Sequence, residues 1–136
     1  MYVFILAACC LLNQLNEPTS YNEARQWIES TGQRGLIIFS ANWCKPCQPF
    51  KDNVIFPLYH ILNQAHVIYV LDIDKERPWA MAYYNAKLWD GRLPAVFFLT
   101  PGGRYIHGYK HGAMSYNQFV EWYNSLYNTQ LQKKEE

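Results

Sequence analysis

The chain has little net charge, few cysteines and no long apolar run, and each shortage excludes a class of protein. Twelve basic side chains against eleven acidic ones leave a formal charge of +1. No strong electrostatic field is therefore available for nucleic acid or for acidic partners, and a nucleic-acid role is not expected. Four cysteines in 136 residues are too few and too unevenly placed for a disulfide framework, because Cys9 and Cys10 are adjacent and do not easily bridge to each other. No internal repeat or low-complexity stretch is present. What is abundant is apolar and aromatic residues, at 50% and 17%, enough for one compact domain with a full core.

The most apolar stretch, Met1 to Leu12, carries no charge. It is shorter than the roughly 20 residues a membrane-spanning helix needs, and it lacks the positive start of a standard export signal. Within it, Leu6-Ala7-Ala8-Cys9 resembles the lipobox of bacterial lipoproteins, in which small residues precede a cysteine that becomes lipidated. That resemblance implies export and a membrane tether through Cys9. The other readings are a first β-strand, an export signal whose true start lies upstream, or a cytoplasmic protein. The expected organisation is an apolar segment and connector over 1–19, a folded domain over 20–128 and a polar tail over 129–136, with Lys133-Lys134-Glu135-Glu136 expected to be frayed.

Patterning along the domain alternates between helix and strand. Ser20-x-x-Glu23 has the form of a capping box ahead of Ala24, Trp27 and Ile28, which predicts a helix over 21–30 closed by Gly32. Leu36-Ile37-Ile38-Phe39 reads as a strand buried on both faces. Phe50, Val54, Leu58, Ile61 and Leu62 follow at helical spacing, with Pro57 expected to kink or split that helix. Val67 to Leu71 reads as a second buried strand, Pro78 to Leu88 as a helix, and Arg92 to Leu99 as a third buried run with a proline at its mouth. Thr100-Pro101-Gly102-Gly103 has the composition of a type II turn into a returning strand over 104–109. Ser115-x-x-Gln118 then caps a last helix with Phe119, Val120, Tyr123, Leu126 and Tyr127 on its apolar face. Strands alternating with helices imply a sheet with a parallel core.

Between the first strand and its following helix lies Trp43-Cys44-Lys45-Pro46-Cys47. Two cysteines separated by two residues at a helix start can close and reopen a small ring, the chemistry of a dithiol redox centre. An inert disulfide and a zinc site remain alternatives, the latter because His107-x-x-x-His111 has finger-like spacing. Cys44 is the candidate nucleophile, since unpaired backbone N–H groups and the helix dipole favour its thiolate. Cys47 is the candidate resolving thiol. Tyr83, Tyr84, Trp79 and Trp89 read as packing residues, and His60 and His66 as ordinary surface or helix-end residues.

These features together resemble the thioredoxin superfamily over roughly Tyr21 to Leu126. The likeness rests on the Trp43-Cys44-x-Pro46-Cys47 centre, on Pro94 where the superfamily has a cis-proline, and on Gly112-Ala113-Met114 ahead of the last helix. Within the superfamily, Phe50-Lys51-x-x-Val54-Ile55-Phe56 and Leu93-Pro94-Ala95-Val96-Phe97-Phe98 resemble exported members, such as the C-terminal domain of DsbD-type reductases. The resemblance implies an α/β thioredoxin fold, a central mixed sheet of four to five strands with helices on both faces. It implies a Cys44–Cys47 disulfide and a substrate surface made by Trp43, Lys45, Pro46, Leu93, Pro94, Gly112 and Ala113. It also implies a monomeric thiol–disulfide oxidoreductase without metal or cofactor, acting on protein thiols and disulfides and recharged by a redox partner protein. A non-enzymatic binding or assembly module using the Trp43/Pro94 surface is the alternative. One departure stands out, since thioredoxin's buried acid and its lysine partner are replaced here by Ile38 and Val70. A proton acceptor for Cys47 would then be water or a group such as Asp52.

Overall fold

The computed structural model describes residues 17–135, so Cys9 and the apolar segment around it lie outside the described residues. Helix α1 (Tyr21–Thr31) begins where the Ser20 side chain accepts the Glu23 N–H. It ends at Gly32, whose φ of 68° lets its N–H reach back to the Ile28 carbonyl, a turn that other residues adopt only with strain. Strand β1 (Arg34–Ser40) follows and leads into the cysteine segment.

The next helix is one rod with a change of pitch. Helix α2 (Cys47–Phe50) passes into a wider π turn (Lys51–Ile55) and then into α3 (Phe56–Leu62). Pro57 explains the change: it has no N–H, and its ring would collide with a carbonyl one ordinary turn back. The Phe56 N–H accordingly reaches the Lys51 carbonyl, five residues earlier. The expected split is therefore present as a π bulge, with the helical backbone uninterrupted across it.

Strand β2 (His66–Asp72) runs parallel to β1, from Arg34 opposite His66 to Ser40 opposite Asp72. Helix α4 (Arg77–Asn85) leads to β3 (Ala95–Leu99), antiparallel to β1. Gly102 at φ 79° and a Gly103 N–H to Thr100 carbonyl bond form the type II turn into β4 (Ile106–His111). Helix α5 (Tyr116–Tyr127) opens on a complete capping box between Ser115 and Gln118. The sheet order is β2-β1-β3-β4, mixed and four-stranded among the described residues.

Alternation of side chains across the strands sends one set to each face. Ile37, Phe39, Phe97 and Leu71 pack with Tyr21, Ile28 and Tyr83 of α1 and α4. Leu36, Ile38, Phe98 and Ile68 pack with Phe50, Val54 and Leu58 of the bulged helix and with Phe119 and Tyr123 of α5. The sheet is thus covered by helices on both sides.

Two residue groups depart from expectation. His66 is not at the surface: only 1% of it is exposed, and its ring meets Phe98, Tyr123 and Tyr127 at 5.4 to 5.7 Å. As the first residue of β2 it points inward by strand alternation, which outweighs its polarity. Tyr83 and Trp89 are buried as expected, while Trp79 and Tyr84 pack on Tyr21 at 4.8 Å and Trp89 at 6.3 Å respectively, yet remain 40% and 49% exposed. The segment after α5 is not frayed through residue 134. The Asn124 side chain binds both the N–H and the carbonyl of Leu131, Asn117 does the same for Lys134, and Lys133 pairs with Glu121. Two asparagines facing outward from α5 supply the backbone partners that this segment would otherwise take from water.

Candidate redox site

All the residues singled out near the cysteine pair converge on one end of the sheet. The register requires it, because β1 and β2 end together at Ser40 and Asp72, and Ala95 at the start of β3 stands opposite Phe39 and His111. The loops after β1, β2 and β4 and the loop before β3 therefore share one rim.

Cys44 and Cys47 are joined by a disulfide with their Cα atoms 5.4 Å apart. The ring is closed by a turn in which the Cys44 N–H donates to the Ala41 carbonyl and the Cys47 N–H to the Cys44 carbonyl. Pro46 has helical backbone angles and leads directly into α2, as suits a residue without an N–H at a helix start. Cys44 is 8% exposed and Cys47 fully buried. Of the two cysteines, then, only Cys44 reaches the surface. Lys45 and Pro46 between them are exposed.

Ala41, Ile73 and Leu93 enclose the pair with apolar surface. The Leu93–Pro94 peptide bond is cis, and Pro94 is buried. The Pro94 carbonyl accepts the N–H of Gly112, whose φ of 86° turns the chain away from β4 toward exposed Ala113. Trp43 is 65% exposed and its indole N–H donates to Asp74 at 2.8 Å. Its ring is thus held at the rim from the loop after β2.

Other expectations resolve differently. Ile38 is fully buried among the apolar residues facing the bulged helix and stands opposite Val70. Asp52 is exposed and accepts a hydrogen bond from Gln48, one turn before it. His107 turns to the Leu126 carbonyl and stacks on Tyr127, while His111 lies against Asp90, so the two histidines serve separate local contacts. Sequence reading missed Ala41, Ile73, Asp74 and Asp90. Asp74 had a signal, since polar residues just beyond the carboxyl ends of parallel strands often line functional crevices.

The chain has a thioredoxin fold. It superposes on a thioredoxin from Thermus thermophilus with a TM-score of 0.64 at 20% identity, covering 80% of this chain and 82% of that one. The germline-specific thioredoxin Deadhead from Drosophila melanogaster gives 0.62 at 18% identity, covering 82% and 98%. A DsbH oxidoreductase gives 0.57 at 14% identity, covering 82% and 83%. No family model and no curated protein matches the sequence. Likeness at these identities establishes the fold alone.

Proposed function

We propose that this chain is a thiol–disulfide oxidoreductase acting on protein substrates. One observation carries the reading: a disulfide-forming Cys44–Cys47 pair at the head of a helix, its less buried member, Cys44, at the rim that also holds Trp43, Leu93 and Gly112. In the reduced form the Cys44 thiolate attacks a substrate disulfide. One substrate sulfur leaves as a thiolate, and a Cys44–substrate disulfide forms. The Cys47 thiolate then attacks Cys44, forming the internal disulfide and releasing the second substrate sulfur; two electrons have passed to the substrate. The reverse sequence oxidises a substrate dithiol. A partner dithiol protein restores the reduced form.

The Leu93 backbone and Gly112–Ala113 would align an extended substrate segment, with Trp43, Lys45 and Pro46 forming the other wall. Burial of Ile38 where thioredoxin has an acid leaves Cys47 without that proton acceptor, so water entering with the substrate takes the proton. Export and a tether through Cys9 belong to the same proposal, supported by Leu6-Ala7-Ala8-Cys9 and by the likeness of pattern to exported members. Mass spectrometry of the membrane fraction tests that part, since a mature chain beginning at unmodified Met1 overturns it.

Insulin reduction by the full chain and by Cys44→Ser tests the enzyme reading. The expected result is turnover in the wild type and none in the variant. Equal low activity in both would leave the exposed, Asp74-anchored Trp43 as a binding surface, and the chain as an assembly or binding module.

A further inference from the structure

The loop before Pro94 carries a second set of polar contacts that redox chemistry does not require. Asp90 Oδ1 accepts the Arg92 N–H at 3.0 Å and the Tyr109 hydroxyl at 3.1 Å, and Oδ2 lies 3.4 Å from His111 Nε2 and 3.6 Å from Arg92 Nε. Its carboxyl is held below the usual carboxylate range, chiefly by the Arg92 N–H. Trp89 anchors the other side of the loop. Its buried ring packs edge-on against Phe39 at 5.1 Å, and its indole N–H donates to the Arg92 carbonyl. Gly91, at φ 93°, makes the tight turn between the two anchors.

Arg92 is therefore held at both its N–H and its carbonyl, one residue before Leu93 meets the cysteine pair. Exposed ion pairs contribute little to stability. Asp90 differs because it links two chain segments: its partners lie within its own turn and on β4, and β4 ends at the Gly112 N–H that binds the Pro94 carbonyl. We propose that Asp90 is a positioning residue that ties the Trp89–Pro94 loop to the end of β4 and so sets the spacing between Leu93 and Gly112 across which a substrate segment lies. This rests on the oxidoreductase reading given above.

The test compares wild type, Asp90→Ala and Asp90→Asn in reduction of a disulfide-bonded peptide, with amide hydrogen exchange at Gly112. Asp90→Ala should raise KM roughly five-fold, the worth of a lost hydrogen bond, with kcat within about two-fold of wild type. Asp90→Asn keeps an oxygen for the Arg92 N–H and the Tyr109 hydroxyl and should restore KM to within about two-fold. Gly112 exchange should quicken in the alanine variant while amides of β1 are unchanged, and the potential of the Cys44–Cys47 pair should stay at the wild-type value in all three. A wild-type KM in Asp90→Ala, or a wild-type Gly112 exchange rate, overturns the proposal. Absence of turnover in the wild type would overturn the oxidoreductase reading instead, and the Gly112 comparison then decides the tie by itself.

Discussion

The Trp43 indole N–H donates to the Asp74 carboxylate at 2.8 Å, joining the loop after β1 to the loop after β2 directly beside the cysteine pair. Because Trp43 is largely exposed, this bond fixes the ring's direction while contributing little to folding. Asp74→Ala should lower kcat/KM toward a protein disulfide by about three- to ten-fold, as a freed ring must be ordered again on binding. Urea unfolding should register a loss below about 1 kcal/mol. A larger stability loss would mean that the bond serves the fold.

His66 gives the fold an acid limit. Burial pushes its pKa from 6.5 down to about 4, and nearby Arg34 adds to the shift, while the Leu62 carbonyl at Nδ1 opposes it. The unfolded chain takes up a proton near pH 6.5, whereas the folded chain resists doing so until about pH 4. Stability from this group is therefore complete above pH 6.5 and drains away as the pH falls to about 4, by about 3 kcal/mol in all. His66→Phe keeps a ring in the aromatic cage and should flatten that part of the stability profile, measured by urea unfolding at a series of pH values.

Phe98 is the centre of the α5 face of the core. It is fully buried and its ring meets those of His66, Phe119, Trp122, Tyr123 and Tyr127. Phe98→Ala should cost about 3–5 kcal/mol. Tyr105→Ala, at a position 68% exposed, should shift stability by less than about 0.5 kcal/mol. Thermal melts of the two variants provide the comparison.

Asn124 holds the returning C-terminal segment by binding both backbone groups of Leu131 and the Thr129 hydroxyl. Asn124→Ala should cost about 1–2 kcal/mol. It should also release residues 129–135, so that trypsin cuts after Lys133 and Lys134 several-fold faster than in the wild type. Equal cleavage rates in the two proteins would show that Leu131 packing alone retains the segment.

The parts of this structure that were legible in sequence are those governed by local rules. Apolar runs marked the buried strands, Ser20 and Ser115 marked helix starts, and Pro101-Gly102 marked the turn. The Cys44–Cys47 pair and Pro94 were also readable, although only likeness to a known superfamily pointed to the Leu93–Pro94 segment beside the cysteines, because the packing of Leu93 on the pair depends on sheet and helix far along the chain. His66 was misjudged because its burial follows from strand register, which depends on pairing with β1. Asp74 and Asp90 were missed for a related reason. Each is an ordinary loop aspartate until the fold brings an indole from another loop, or a tyrosine from β4, within hydrogen-bond reach. The asparagines of α5 carry no periodic signal, and their role depends on the chain turning back after Thr129.

That return has a consequence for attaching things to the protein. Helix α5 starts just after Gly112–Ala113 and carries the chain away from the rim, but Lys134 comes back to Asn117 and lies over the Tyr116 ring in the first turn of the helix. A segment joined beyond residue 135 thus sets out from the Tyr116 end of α5, the end that follows Gly112–Ala113 at the rim. A peptide fused there through a short flexible linker would meet Cys44 at millimolar-scale effective concentration, making its disulfide an intramolecular reactant, while a bulky tag in the same place would crowd the entrance.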